Sequence, residues 1–260
     1  MFLSMNYKEE YPEYNEARGL FVDIIKNTNC HDIAEKNNFI STGQALFYLS
    51  FQINRICDSI LLRFIGDYAI VILYRSIMEH FIKHYYISLR FHEERNDDVG
   101  KQYYFDCIYD EQVKKINAVL WPNFFQVKPN MKHRHKQIKN NAEFFTLRKI
   151  LNYIGKIDLS NISEPGMNMK RLIQEVKKEY SLSSSYTHGG PEAISMATKV
   201  SKKHIQHSAV CYSILGQLNT IRIFSGFDSP NKGRLTEVRE RMEDILKIYL
   251  ENWPAKNESE

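Results

Sequence analysis

Arg75 and Glu79 lie within a long apolar segment of the chain, where a charged side chain is costly unless it is paired. Residues four positions apart on an α-helix lie about 40° apart around its axis. The two side chains therefore share a helix face and can form an ion pair directly. Two interpretations stay open: a buried pair that fixes helix packing, or a polar site at which the guanidinium binds a ligand.

A second polar segment lies further along the chain. Tyr180, Ser184 and His188 recur every four residues just before a Gly-Gly pair, and Thr187 lies beside the histidine. On a helix this spacing aligns the hydroxyls and the imidazole along one face, where they can line a polar pocket. The alternative is an ordinary helix C-terminus, at which a histidine is mildly stabilising. Both segments fall on helices of one predicted bundle, a setting in which ligand sites are common.

The two segments together resemble a family of uncharacterised bacterial all-helical proteins, which is catalogued as a domain of unknown function. The resemblance rests on Tyr74, Arg75 and Glu79 and on the downstream motif Tyr-x-x-x-Ser-x-x-x-His-Gly that begins at Tyr180. It covers about residues 40 to 225. It implies a compact helical fold with a polar site where the motifs meet, and it implies no established activity.

Arg75 and His80 also show the Arg-x4-His spacing of HEPN domains. These helical bacterial domains are often dimeric, and many are metal-independent ribonucleases of toxin or antiphage systems. The resemblance implies that His80 acts as acid or base, that Arg75 stabilises the phosphate and that a ribose hydroxyl is the nucleophile. Histidine titrates near neutral pH and arginine binds phosphate through two donors, so the chemistry is physically reasonable. Positions five apart on a straight helix nevertheless point about 140° apart.

The strongest nucleic-acid signal is a basic segment without any carboxylate. Its five cationic residues are Lys128, Lys132, Arg134, Lys136 and Lys139. Such a segment can neutralise several phosphates, and the aromatic residues Trp121, Phe124 and Phe125 just before it can stack on bases. A solvated basic loop is the alternative.

Other catalytic signatures are weaker. His80 and His84 have the helical spacing of two metal ligands, but no zincin carboxylate accompanies them, and we expect packed or surface histidines. The sequence contains neither a phosphate-binding Gly-x-x-x-x-Gly-Lys loop nor a Gly-x-Ser-x-Gly nucleophile elbow. We therefore expect no metal and no cofactor.

The composition favours long helices joined by short loops. Hydrophobic residues make up 43% of the 260 residues, against 11 Gly and 7 Pro. We predict one all-α domain over residues 1–260, a single bundle of about seven to nine helices with residues 44–65 and 68–91 at its centre. A basic insertion near residues 121–142 and a disordered tail after residue 253 complete the prediction.

The net charge, the cysteines and the apolar windows of the chain bear on its partners and its compartment. The formal charge of +4 is too small to identify a partner by itself. The four cysteines are far apart in sequence, which is typical of a reducing cytoplasm. The start of the chain does not read as a signal peptide. The most apolar window, Ile60 to Tyr74, contains charges and is shorter than the ~20 residues that cross a bilayer, so we expect no membrane segment.

The HEPN resemblance implies a bacterial effector of the defence or toxin type that binds or cleaves RNA, and we expect it in the cytoplasm. Arg75, Glu79 and His188 would form its site, with His80 as the rival acid-base group. Two alternatives stay open, namely a non-enzymatic regulatory or scaffolding subunit and a helical domain that binds a nucleotide through the same residues. We also expect a homo-oligomer and a partner protein.

Overall fold

The computed structural model describes residues 10–62, 66–117, 145–157, 169–187 and 201–251, and the regular structure in these ranges is helical. The described part contains nine helices: α1 (Pro12–Asn27), α2 (Cys30–Lys36), α3 (Ile40–Ile60), α4 (Asp67–Glu94), α5 (Asp98–Asn117), α6 (Leu147–Ile154), α7 (Met169–Thr187), α8 (Lys202–Ser225) and α9 (Lys232–Glu251). The predicted all-α class is thereby confirmed. The predicted basic insertion and the tail lie outside the described residues.

One hydrophobic core contains side chains from every described helix. Helices α3, α4 and α8 pack against one another at its centre. Around them, α1 and α9 pack on α8, α5 packs on α3, and α6 and α7 pack on α4. Among the described helices, none combines the length and the apolar character that crossing a bilayer requires.

Helix α8 is buried on nearly all sides although it carries many small polar residues. Ser213 and the Gln217 amide both donate to the Asn54 side-chain oxygen of α3, the latter over 2.9 Å. Buried polar groups are tolerated when they find hydrogen-bond partners. Polar contacts of this kind therefore hold α8 in the middle of the bundle.

His84 forms a second polar contact at the centre of the bundle. Its Nε2 lies 3.2 Å from Ser50 Oγ and 2.9 Å from Thr220 Oγ1, so that one imidazole joins α3, α4 and α8. Burial lowers the pKa of His84 to about 3. The ring is therefore neutral at pH 7 and acts as a structural hydrogen-bonding group.

The segment before α5 caps the N-terminus of α3. Asp97 accepts hydrogen bonds from the backbone N–H groups of Ser41 at 3.1 Å and Thr42 at 2.7 Å. The N-cap residue of α3, Phe39, makes no side-chain bond of its own. A Cβ atom at Gly100 would lie 2.1 Å from the Thr42 backbone nitrogen, so the close approach of α5 requires glycine.

Candidate functional site

Helices α4, α7 and α8 bring three polar side chains into one hydrogen-bonded row. The Tyr74 hydroxyl of α4 donates to one oxygen of the Glu179 carboxylate of α7. The other oxygen of Glu179 lies 3.0 Å from Nε2 of His204 of α8. With their chain neighbours Arg75 and Tyr180, these residues are called the three-helix site below.

Tyr74 supplies a fixed donor to the three-helix site. Its ring is buried, and its centroid lies 6.3 Å from that of the Tyr212 ring on α8, with 21° between the ring planes. Burial raises the pKa of Tyr74 well above its ordinary value, and the charge of Glu179 raises it further. The phenol therefore stays protonated and holds the carboxylate in place.

Arg75 lies against the aromatic ring of Tyr180. Its guanidinium carbon is 5.5 Å from the ring centroid, and Nη2 is 3.5 Å from the phenolic oxygen. Arginine stacks well on aromatic faces because its planar cation is weakly hydrated. Of the residues predicted to form a site, the structure brings these two together.

The predicted ion pair between Arg75 and Glu79 is not formed. Within the described ranges, Glu79 pairs with Lys83 at 3.9 Å, and Lys83 lies 3.0 Å from Asp106 of α5. Burial alone would lower the pKa of Lys83, but Asp106, Glu79 and Cys107 together outweigh it and the pKa is raised. The Arg75 side chain lies against α7, whereas the Glu79 carboxylate lies near Lys83 on the side of α4 that faces α5.

His80 lies outside the three-helix site. Its Nδ1 is 2.7 Å from the Ser76 carbonyl oxygen one turn earlier on the same helix, and burial lowers its pKa. His84 bonds to different partners in the core, so the two histidines do not converge. Among the described residues, no group of three or more histidine, cysteine or acidic side chains could hold a metal ion.

Several predicted site residues lie beyond what the structure describes. Ser184 and Thr187 belong to the end of α7, of which only the backbone is described. His188 lies outside the described residues, as do the predicted nucleic-acid-binding residues Lys128, Lys132, Arg134, Lys136 and Lys139. Their roles stay predictions.

Glu179 and His204 are site residues that the sequence interpretation missed. His204 is positioned by a local signal, because the Ser201 hydroxyl accepts a hydrogen bond from the His204 backbone N–H at 3.1 Å and caps α8. A serine three residues before a histidine therefore indicated that His204 lies in the first turn of a helix. No spacing of residues in the sequence indicated that the first turn of α8 lies close to Glu179.

Lysines lie next to both Glu179 and His204 in the chain, and Glu175 lies one turn before Glu179. The first turn of α8 carries Lys202 and Lys203 without an acidic residue, and Lys177 and Lys178 are exposed on α7 directly before Glu179. The side chains of His204 and Glu179 keep 25% and 19% of their surface exposed. The histidine-carboxylate pair is therefore partly in contact with solvent.

Comparison of the chain with protein-family models, with curated proteins and with solved structures finds no match. Both family resemblances therefore stay predictions, and a function has to be argued from the geometry of the three-helix site.

Proposed function

We propose that this protein binds and cleaves RNA at the three-helix site, as a cytoplasmic effector of the bacterial defence or toxin type that the HEPN resemblance implies. The single observation that carries the proposal is the row from Tyr74 through Glu179 to His204, with Arg75 next to Tyr74 in the chain. A carboxylate bonded to an imidazole orients the ring and stabilises its protonated form. A guanidinium is suited to hold a phosphodiester.

The tautomer of His204 determines which nitrogen reacts. With Nε2–H donating to Glu179, Nδ1 is the basic nitrogen of the neutral ring. In the proposed reaction Nδ1 takes the proton from a ribose 2′-hydroxyl. The 2′-oxygen then bonds to the adjacent phosphorus, and the bond from phosphorus to the 5′-oxygen breaks.

Arg75 and water account for the remaining charges and protons of the reaction. Arg75 offsets the negative charge on the non-bridging phosphate oxygens as the 2′-oxygen attacks. Water supplies the proton that the 5′-oxygen takes up, and the imidazolium of His204 returns its proton to the solvent. The products are a 2′,3′-cyclic phosphate and a 5′-hydroxyl.

The experiment is cleavage of labelled single-stranded RNA by the full chain in the presence of EDTA, with the product ends identified. We expect cyclic phosphate ends and a His204→Ala variant that is slower by about 10²–10⁴-fold. Arg75→Ala should weaken RNA binding and flatten its dependence on salt. His92→Ala and Arg55→Ala are the matched controls, because both residues are exposed and lie elsewhere on the surface.

The rival acid-base groups are tested in the same assay. If His80→Ala or His188→Ala abolishes cleavage while His204→Ala cleaves normally, the acid-base assignment is wrong. If the wild-type chain neither binds nor cleaves RNA, the proposed function fails. The alternative is a domain that binds a nucleotide through Arg75 and Tyr180. In that case mononucleotides should bind to the wild-type chain, and Arg75→Ala should weaken their binding.

A non-enzymatic regulatory or scaffolding role is the second candidate, and the burial of Tyr74 and Tyr212 favours it. In that case the row from Tyr74 to His204 serves to fix the packing of α4, α7 and α8. Tyr74→Phe would then lower the free energy of unfolding by about 1–2 kcal/mol, since Glu179 loses a donor. RNA would not bind to the wild-type chain under this alternative.

A further inference from the structure

The side of α3 that faces away from the core carries a stripe of exposed side chains. Gln44, Tyr48, Phe51 and Arg55 follow one another at steps of four, three and four residues, and all four are exposed. On a helix these positions fall within an arc of about 60° and along a length of about 16 Å. Tyr48 is 51% exposed and Phe51 is 41% exposed. We call this surface the α3 face.

A further aromatic ring borders the α3 face on α5. A Cβ atom at Gly100 would lie 2.1 Å from the backbone nitrogen of Thr42, so α5 touches the first turn of α3 there. Tyr104 follows Gly100 by about one helical turn and is 62% exposed. Single exposed apolar residues are normal on a protein surface, whereas a group of large ones on two packed helices indicates an interaction surface.

The α3 face contains one charge, that of Arg55, and no carboxylate. The nearest acidic residue of α3, Asp58, accepts hydrogen bonds from Arg18 at 2.7 Å and from Tyr14 at 2.8 Å, so its charge is compensated. Within the described ranges, no ion pair involves the exposed guanidinium of Arg55. Two copies of the α3 face placed against each other would bring two arginines together without an acidic residue, which is unfavourable. The charge therefore favours a different partner that carries a carboxylate.

We propose that the α3 face binds an amphipathic helix of a partner protein, an inference that is independent of the proposed function. The apolar side chains of that helix contact Tyr48 and Phe51, and one of its carboxylates pairs with Arg55. Alternating steps of three and four residues are the spacing at which two helices pack side by side. Aromatic residues and arginine are also the types that contribute most to protein interfaces. The α3 face contains no residue of the three-helix site, so the partner helix and RNA bind to different surfaces.

The probes for the test are two synthetic amphipathic peptides as long as α3, which has 21 residues, with leucine at the positions that contact the α3 face. They differ at one central position, which is glutamate in one peptide and lysine in the other. In fluorescence anisotropy we expect the full chain to bind the glutamate peptide about 3- to 10-fold more tightly. Arg55→Glu should reverse this preference, and Tyr48→Ala and Phe51→Ala should each weaken the binding of both peptides about fivefold or more.

Two control variants change exposed residues outside the α3 face. Ile72→Ser removes an apolar side chain of α4 that is 39% exposed, and Arg148→Glu reverses an exposed charge on α6. Both variants should bind the two peptides like the wild type. Equal weakening by Ile72→Ser and Phe51→Ala would show that the peptides bind without regard to the surface, and the inference would be wrong.

Other outcomes overturn the inference in distinct ways. If neither peptide binds to the wild-type chain, or both bind equally well, the α3 face does not bind an acidic helix. If Tyr48→Ala weakens RNA binding instead, the α3 face is a nucleic-acid surface. If Phe51→Ala lowers the sedimenting mass of the protein, the α3 face joins two copies of this chain. Cleavage of RNA is measured without the peptides, so the proposed function stands or fails separately.

Discussion

Nε2 of His204 lies 3.0 Å from Oε1 of Glu179, and this contact joins α7 to α8 across a stretch of chain that contains a Gly-Gly pair and a proline. The other oxygen of Glu179 accepts the Tyr74 hydroxyl from α4. One carboxylate thereby sets the position of an imidazole relative to a helix that also carries Arg75. Glu179 therefore fixes His204, the proposed acid-base group, relative to α4.

Glu179→Gln tests whether Glu179 positions His204 for proton transfer. The amide oxygen can still accept from Tyr74, but the amide nitrogen then faces Nε2 of His204 and can only donate, so the ring carries its proton on Nδ1, the nitrogen proposed as the base. We expect kcat for RNA cleavage to fall about tenfold or more, a part of the general acid-base contribution, with KM and the unfolding midpoint little changed. A loss of stability with kcat intact would assign Glu179 a structural role only.

Asp97→Ala removes the cap of α3. We expect the free energy of unfolding in urea to fall by about 1–2 kcal/mol, because two backbone N–H groups lose their acceptor. Asp98→Ala is the control, since its side chain is 64% exposed and lies 3.8 Å from Lys101; it should change stability by less than about 0.5 kcal/mol. Equal effects of the two substitutions would disprove capping by Asp97.

Gly100→Ala and Gly19→Ala should change stability in opposite directions. At Gly100 the added methyl group meets the backbone of α3, which cannot move as a side chain can, so we expect a loss of about 3 kcal/mol or more. Nothing lies within 4 Å of a Cβ at Gly19, in the exposed middle of α1. There alanine should stabilise the protein by roughly 0.5–1 kcal/mol, as measured by urea unfolding.

His84 makes stability depend on pH. Its pKa is about 3 in the folded chain, whereas an unfolded histidine titrates near 6.5. Between these values the unfolded chain binds more protons, so the free energy of unfolding falls as the pH falls below about 6.5. Urea titrations from pH 6.5 to 5 should show a flatter slope for His84→Gln, by on the order of 1 kcal/mol per pH unit.

The slope should not vanish in His84→Gln. Burial also lowers the pKa of His80 and of His207, and both act in the same direction. An identical slope for the wild type and His84→Gln would mean that His84 is not held neutral in the core.

Helical periodicity was sufficient to predict the fold class and the central position of α3 and α4, but not that of α8. Periodicity counts apolar residues, and residues such as Ser213, Gln217 and Thr220 lower that signal. They are buried because Asn54 and His84 of other helices supply hydrogen-bond partners. Which residues of other helices serve as hydrogen-bond partners depends on how the helices pack, and periodicity within one helix does not show it.

Of the candidate site, the sequence pattern predicted Arg75, because a residue of its type is unusual in an apolar helix. Arg75 stands out because a cation in an apolar helix needs an explanation. Its partner was predicted as Glu79 from helical spacing, yet Glu79 pairs with Lys83, and Arg75 lies against Tyr180 of α7. The pairing of Glu179 with His204 depends on how α7 and α8 are each placed against α4, which no local pattern encodes.

The most direct test of the three-helix site is chemical rescue of His204→Ala with free imidazole, followed as the rate of RNA cleavage. If His204 transfers the proton, the variant should be slower by about 10²–10⁴-fold and should regain rate as imidazole is added, whereas Arg75→Ala should not respond. If His204→Ala cleaves RNA as fast as the wild type, or imidazole restores nothing, His204 is not the acid-base group.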